Sequence, residues 1–328
     1  MTPVPPGPAL ITGASGFIGS HVAERLVREG VQVRGLVRSE AKGAALGALG
    51  VAPALGDLTD AASLAKAVHD CRLVIHCAAW MGRPWSLRAA EAVNVHGTRA
   101  LLDAAQRAGV ARFIHLSSIT VYGPTTAPVI DEETPLWPLG LYRSTKIGAE
   151  REVEDALRRG LATVVLRPGQ VFGERDGGVT RIALRRLSGG RPLLVDGGDG
   201  FCHPIYVENL VDGILTAATA PEAPGRIFNL ADADLPWREF FGFYAAMVGR
   251  PLRSYPSWVV RLGTGVMESV AAITRRPARA IPAELGYLLR QSRYDTVRAR
   301  SILGWVPRVS LVEAMARTEA WLRAAGHA

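Results

Sequence analysis

The sequence predicts an α/β fold in which a doubly wound parallel sheet carries a smaller C-terminal substrate-binding lobe. Three observations lead to this prediction. Short apolar runs alternate with helical stretches through the first half of the chain, a glycine-rich turn follows the first run, and the pattern becomes irregular after about residue 175. Alternating strand and helix signals indicate a parallel sheet because each parallel pair needs a long crossover, usually a helix.

Six strands are predicted from apolar runs bounded by turn residues, at residues 9–12, 31–37, 51–55, 72–77, 111–117 and 161–167. Helices are predicted at residues 87–108, 141–159 and 208–219. Residues 1–8 are rich in proline and lack the charged and apolar regions of a signal peptide, which predicts a disordered lead-in and a cytoplasmic protein.

Composition narrows the class of protein. With 48% hydrophobic and 21% charged residues, the chain of 328 residues is typical of a soluble globular protein. The net charge of +8 comes from dispersed arginines, which does not favour nucleic-acid binding. The three cysteines form no disulfide framework and no metal-ligand spacing, so free thiols and no metal site are expected.

A glycine-rich turn follows the first predicted strand. Gly13, Gly16 and Gly19 are spaced three apart, which allows a tight turn, a close approach to a pyrophosphate and close packing of helix on strand. The alternative is that these glycines only mark turns. A strand, turn, helix and second strand within about thirty residues favour a dinucleotide site.

Tyr142 and Lys146 are four residues apart in a predicted helix, so their side chains share one face. A cation beside a phenol, aided by an oxidised nicotinamide, lowers the phenol pKa toward physiological pH. Such a phenol can exchange a proton with a substrate hydroxyl. The alternative is a solvated helix that carries an aromatic and a basic residue by accident.

Together these segments resemble the extended short-chain dehydrogenase/reductase family, in the NAD(P)-dependent epimerase/dehydratase superfamily. The further motifs that carry the resemblance are Gly56–Leu58, His76–Ala79, Asn94–Thr98, Leu116–Ser118, Val121–Gly123 and Arg167–Gly173. The resemblance implies a Rossmann domain over residues 9–175 and a mainly substrate-binding lobe over 176–328, with some segments returning to the Rossmann core. It also implies a homodimer built through the helices at 87–108 and 141–159.

The resemblance assigns three catalytic residues. Ser118 would hold the substrate oxygen, Tyr142 would act as general acid and base, and Lys146 would lower the Tyr142 pKa and bind the ribose. Asn94 is expected to be structural, joining two backbone segments. The predicted cofactor-binding residues are Gly13, Ser15, Gly16, Phe17, Ile18, Arg38, Asp57, Leu58, Cys77, Ala78, Ala79, Tyr142, Lys146 and Pro168.

The end of the second strand bears on the choice of cofactor. Enzymes that use NAD usually have an acidic residue there, whereas this chain has Val37 followed by Arg38. The guanidinium of Arg38 could pair with a 2′-phosphate, so NADP(H) is predicted over NAD(H). The alternative is that Arg38 is a solvated loop charge.

A long apolar stretch, Pro256–Ile273, resembles the lid of 3β-hydroxysteroid-dehydrogenase-like and dihydroflavonol-reductase-like members. Arg261 and Glu268 make it unsuitable as a membrane span. A packing helix is the alternative. The candidate substrate-binding residues are Met81, Trp85, Gln170, Val171, Trp258 and Met267.

The predicted function is therefore an NADP(H)-dependent oxidoreductase that interconverts a ketone and a secondary alcohol on a hydrophobic small molecule. A nucleotide-sugar epimerase or dehydratase is the alternative within enzymes. Gln170 replaces the Asn usual in those enzymes, and no arginine precedes Ile205–Val207. A non-catalytic, cofactor-sensing regulator is the alternative of another class, although such proteins typically lack the Tyr or Lys that this chain retains.

Overall fold

A computed structural model describes residues 7–81, 86–262 and 281–326. The strands, in chain order, are β1 Ala9–Thr12, β2 Val33–Val37, β3 Ala52–Leu55, β4 Leu73–His76, β5 Arg112–Leu116, β6 Val129–Ile130, β7 Thr163–Pro168, β8 Gln170–Phe172, β9 Leu194–Val195, β10 Phe201–Cys202, β11 Pro204–Tyr206, β12 Ile227–Leu230, β13 Leu235–Pro236, β14 Ser254–Tyr255 and β15 Arg293–Tyr294.

The α-helices are α1 Phe17–Arg28, α2 Glu40–Gly47, α3 Ala61–Val68, α4 Leu87–Glu91, α5 Gly97–Arg107, α6 Leu141–Arg158, α7 Val179–Ser188, α8 Val207–Thr219, α9 Trp237–Met247, α10 Ile281–Leu288, α11 Val297–Leu303 and α12 Leu311–Ala324. A π-helical turn at Ala92–His96 joins α4 to α5, and a 3₁₀ turn follows β5 at Ile119–Tyr122.

The central sheet has seven parallel strands in the order β3-β2-β1-β4-β5-β7-β12. This confirms the predicted doubly wound fold and all six predicted strands. The seventh strand, β12, was not predicted, and it comes from the second half of the chain.

The sheet is buried on both faces because alternate side chains of its strands feed two separate cores. Ile11 of β1 packs with Val22 of α1 and Ile214 of α8 on one face. Leu10 of the same strand packs with Leu64 of α3 and Leu101 of α5 on the other. This alternation explains why β1 reads as a continuous apolar run.

A further core, rich in aromatic residues, lies around α7, α9 and α12. Short strand pairs join later segments of the chain to earlier ones: β11 pairs with β8, and β15 pairs with β6. Within the described residues, none of the helices combines the length and apolar character that a bilayer crossing requires.

Some predictions fall outside the described residues. These are most of the lead-in at 1–8, the candidate substrate residues Trp85 and Met267, and most of the apolar stretch Pro256–Ile273. Residues 257–262 of that stretch are helical.

Candidate active site

The glycine-rich turn lies where the strand order of the sheet reverses. β1 has β2 on one side and β4 on the other, so a crevice forms beyond the carboxyl ends of β1 and β4. Gly13 follows β1, and the segment from Cys77 to Ala79 follows β4. The structure therefore brings together two predicted cofactor-binding segments that are far apart in sequence.

The turn leaves no room for side chains at two positions. Gly13 has a φ of +68°, and a Cβ there would lie 2.9 Å from the amide nitrogen of Ala78. A Cβ on Gly19 would lie 2.2 Å from the carbonyl oxygen of Gly13. Any larger residue at either position would force the turn apart.

The start of α1 suits an anion. Its N-cap, Gly16, supplies no side chain to the first N–H groups, and the first turn contains no acidic residue. Ser15 and Gly16 are exposed, while Phe17 and Ile18 are half-buried. A helix start with open N–H groups and a compact glycine cradle fits a dinucleotide pyrophosphate.

Arg38 and Asp57 follow the neighbouring strands β2 and β3. Arg38 is exposed, and Val37 before it is buried in the core, so no carboxylate stands at the end of β2. The Thr59 hydroxyl donates to the Asp57 carboxylate at 2.6 Å and holds its pKa below the usual range, and the charge of Arg38 acts in the same direction. Leu58 is buried beside them.

Tyr142 and Lys146 lie one turn apart on α6, and the Lys146 Nζ is 6.0 Å from the centre of the Tyr142 ring. Lys146 is buried and donates to the carbonyl of Leu116 at 2.7 Å. Burial lowers the pKa of Lys146 to about 8 and raises the pKa of Tyr142 to about 12. Without a bound nicotinamide, burial therefore favours the protonated form of the Tyr142 phenol.

Ser118 begins the 3₁₀ turn that follows β5. Its Oγ accepts from the Thr120 N–H at 3.2 Å and from the Thr120 hydroxyl at 2.9 Å. With its acceptor sites occupied, the Ser118 hydroxyl has its own proton left to donate. Arg143 of α6 donates to the Thr120 carbonyl at 2.7 Å, which joins this turn to the helix that carries Tyr142.

Behind the turn, Ser117 has a different role. It donates to Glu150, whose carboxylate also accepts two hydrogen bonds from Arg167, at 3.0 and 2.6 Å. All three residues are buried. Glu150 lies one turn beyond Lys146, so this ion pair fixes α6 against β7.

Asn94 lies in the π-helical turn and is buried. Its side chain accepts from the Trp80 N–H at 2.6 Å and donates to the Trp80 carbonyl at 3.2 Å and to the Thr145 hydroxyl at 3.0 Å. It joins the segment after β4 to α6, as expected for a structural residue.

The predicted substrate residues are distributed unevenly. Gln170 and Val171 are half-buried on β8, next to Pro168 at the end of β7, whereas Met81 and Trp258 are 68% and 65% exposed. An exposed Trp258 does not by itself form a wall, so the described residues give the lid interpretation no direct support.

Comparison with known proteins decides the family. A profile of the NAD dependent epimerase/dehydratase family matches residues 9–231. The chain belongs to this family. It is an NAD(P)-dependent enzyme of the short-chain dehydrogenase/reductase type.

Members of the epimerase/dehydratase family with different activities match nearly the whole chain. A 4-hydroxy-2-methyl-3-oxo-4-farnesyl-3,4-dihydroquinoline-1-oxide ketoreductase of Stigmatella aurantiaca is 31% identical over 92% of each chain. A 2-alkyl-3-oxoalkanoate reductase of Stenotrophomonas maltophilia is 30% identical over 95% of this chain and 98% of its own. A UDP-glucose 4-epimerase of Mycolicibacterium smegmatis is also 30% identical, over 96% and 98%.

The fold of the family is equally clear in solved structures. The crystal structure of gox2253 matches with a TM-score of 0.84 and 27% identity, over 97% of this chain and 98% of its own.

The sequence analysis of this epimerase/dehydratase family member did not predict the buried ion pair of Glu150 and Arg167. Glu150 could have been noticed because it lies four residues after Lys146 on the same helix face. Its partner Arg167 is on another element, and the pairing of the two has no local sequence signal.

Proposed function

We propose that this protein is an NADP(H)-dependent reductase that interconverts a ketone and a secondary alcohol on a hydrophobic small molecule. The observation that carries the proposal is the contact between the turn that begins at Ser118 and the helix that carries Tyr142 and Lys146, made by the Arg143 hydrogen bond to the Thr120 carbonyl. The Ser118 hydroxyl retains a proton to donate, and so does the Tyr142 phenol. Both groups are prepared to meet an oxygen that gains negative charge, as a carbonyl oxygen does on reduction.

In the proposed mechanism, NADPH would supply the hydride when bound. Ser118 would donate a hydrogen bond to the carbonyl oxygen, and Tyr142 would transfer its proton to that oxygen as it gains negative charge. Lys146, whose Nζ lies 6.0 Å from the centre of the Tyr142 ring, would contact the ribose hydroxyls and the phenol. The glycine-rich turn, Asp57, Leu58 and the segment Cys77–Ala79 would hold the dinucleotide.

The relatives support a reductase. Two members that match nearly the full length are named as a ketoreductase and a reductase of oxo compounds. The substrates in both names combine a ketone with an apolar chain, which agrees with the apolar character of the proposed substrate.

The test of the catalytic assignment is Tyr142→Phe. We expect it to lower kcat for NADPH-dependent reduction of an apolar ketone by about 10²-fold or more, because the proton donor is lost. Binding of NADPH, measured by fluorescence, should change little. Tyr255→Phe, at a half-exposed position of β14, is the matched control. Retention of activity by Tyr142→Phe would refute the assignment.

Preference for NADP(H) is proposed from Arg38, which is exposed at the end of β2 with no carboxylate before it. Arg38→Ala should raise KM for NADPH about tenfold or more and leave KM for NADH nearly unchanged, since only NADPH carries the 2′-phosphate. Arg72→Ala is the control, because Arg72 is exposed just before β4, at the amino-terminal ends of the parallel strands. A wild-type preference for NADH that Arg38→Ala does not alter would contradict the proposal.

A nucleotide-sugar epimerase is the second candidate, because one full-length relative is named as a UDP-glucose 4-epimerase. An epimerase would convert a UDP-sugar with no net consumption of cofactor, whereas a reductase consumes one NADPH for each ketone. Following absorbance of NADPH alongside product analysis for both substrate classes separates the two.

A further inference from the structure

Three side chains of the second lobe keep unpaired nitrogen atoms in the protein interior. Among the described residues, Arg290 Nε and Nη2, His203 Nε2 and Trp237 Nε1 have no hydrogen-bond partner. Arg290 and Trp237 are each 4% exposed and His203 is fully buried. We call these three residues the donor cluster.

The donor cluster is assembled around two tyrosines. The Arg290 guanidinium lies 4.6 Å from the ring centre of Tyr287 and 4.8 Å from that of Tyr294. The His203 ring is 4.1 Å from Tyr294, and the Trp237 ring is 6.0 Å from Tyr287. The unpaired nitrogen atoms therefore belong to one contiguous group of side chains.

This group contacts the turn that carries Ser118. Arg290 Nη1 donates to the carbonyl of Gly123 at 3.0 Å, and the Tyr294 hydroxyl donates to the carbonyl of Ile119 at 3.2 Å. The carbonyl of His203 accepts from the N–H of Gln170 at 2.7 Å. The donor cluster thus lies between the proposed catalytic turn and the candidate substrate residue Gln170.

Buried nitrogen atoms without a hydrogen-bond partner, as in the donor cluster, are energetically unfavourable. A buried guanidinium is normally matched by a carboxylate, as Arg167 is by Glu150. The nearby Asp234 accepts instead from His203 Nδ1 at 2.6 Å and from the Tyr294 N–H at 3.3 Å. Leaving buried donors unpaired costs free energy, and the charge of a guanidinium increases that cost.

Arg290 and Trp237 can only donate, and burial lowers the pKa of His203 despite the Asp234 carboxylate at its Nδ1. The missing partner must therefore be an acceptor, and opposite a guanidinium an anion is favoured.

We propose that the donor cluster is a subsite for the carboxylate of an apolar oxo acid whose ketone reaches Ser118 and Tyr142. This rests on the proposed reductase function and defines its substrate class. A carboxylate suits the site better than a diphosphate because the surroundings are aromatic and Arg290 is the one cation of the cluster. A diphosphate would need further cations.

Binding tests the subsite without turnover. In the presence of NADP⁺, decanoate should raise the Tm of the wild-type protein, whereas decanamide, with the same chain and no charge, and UDP should not. Arg290→Met should lose the decanoate shift and keep the shift caused by NADP⁺. Arg293→Met, which removes an exposed arginine of β15, is the matched control.

Turnover tests the link to the reaction. The wild-type kcat/KM for 4-oxodecanoate should exceed that for its methyl ester at least tenfold, and Arg290→Met should bring this ratio near one. Equal Tm shifts with decanoate and decanamide, a shift with UDP alone, or an unchanged ratio in Arg290→Met would each overturn the subsite. If Arg290→Met does not fold, the wild-type comparisons still decide. Failure to oxidise NADPH with any ketone would instead refute the reductase.

Discussion

At the scale of single residues, Lys146 is a charged amine buried at a cost in folding free energy. It is 3% exposed, and burial lowers its pKa from 10.5 to about 8. A shift of this size means that the charged amine destabilises the folded state by about 3 kcal/mol at neutral pH. The cost is full below about pH 8 and falls as the pH rises toward 10.5, where the unfolded chain also loses the proton.

Lys146→Met is therefore expected to stabilise the protein and inactivate it. The free energy of unfolding in urea should rise by about 1–3 kcal/mol at pH 7, and the gain should shrink at pH 10. Lys66→Met, which removes an exposed lysine near the end of α3, should change stability by less than about 0.5 kcal/mol at either pH. A stability loss at pH 7 that grows at lower pH would show that the amine is not penalised by burial.

Substitution of two adjacent serines is expected to affect different quantities, with kcat lowered mainly at Ser118 and the free energy of unfolding mainly at Ser117. Ser118→Ala should lower kcat about 10²-fold, with a stability loss of about 1 kcal/mol from the missing cap of the 3₁₀ turn. Ser117→Ala should cost more stability, about 1–3 kcal/mol, because it removes one of the buried donors to Glu150 and leaves only those of Arg167. Steady-state kinetics and urea unfolding on both variants check this, and equal kcat values would contradict it.

The sequence allowed predictions at residues that local motifs mark. Tyr142 and Lys146 share a helix face, and Ser118 follows the end of β5 by two residues, so spacing and order predicted them as one site. The unpaired nitrogens of Arg290 and the phenol pKa of Tyr142 have no such signal. Both depend on what surrounds a side chain in three dimensions.

At the scale of elements, the contact between α1 and the glycine-rich turn allows a matched pair of Gly→Ala changes. A Cβ on Gly19 would overlap the Gly13 carbonyl, whereas a Cβ on Gly242 in α9 would meet no atom within 4 Å. Gly19→Ala should lower the free energy of unfolding by about 1–3 kcal/mol and weaken NADPH binding. Gly242→Ala should raise it by about 0.5–1 kcal/mol because alanine favours the helix. Effects of the same sign would contradict the packing described.

At the scale of elements, strands were predicted well where strand and helix signals alternate regularly along the sequence, and poorly where they do not. The strands from β1 to β5 and β7 were found because each is an apolar run before a turn. Ile227–Leu230 lies in the second half of the chain, outside the alternating strand and helix signals that marked the other six strands, so no local pattern distinguishes it from a loop. The π-helical turn within the predicted helix at 87–108 was also missed, because it depends on the packing of Asn94.

At the scale of the whole molecule, the segment that contains Trp305 and Val309 packs against α8. Trp305 is 2% exposed in the same core as Ile11, and its Nε1 donates to the carbonyl of Asn209 at 2.9 Å. The Asn209 side chain in turn donates to the carbonyl of Val309 at 2.9 Å. The segment around Trp305 therefore contributes to the core on one face of the central sheet.

Trp305→Ala should consequently destabilise the entire protein rather than the C-terminal segment alone. We expect a loss of about 3–5 kcal/mol, since a large buried side chain and a hydrogen bond are removed together. Trp258→Ala, at a position 65% exposed, should change stability by less than about 1 kcal/mol. Far-UV circular dichroism and tryptophan fluorescence should then report one coincident transition for Trp305→Ala. A separate early transition confined to fluorescence would mean that the C-terminal segment unfolds independently of the sheet.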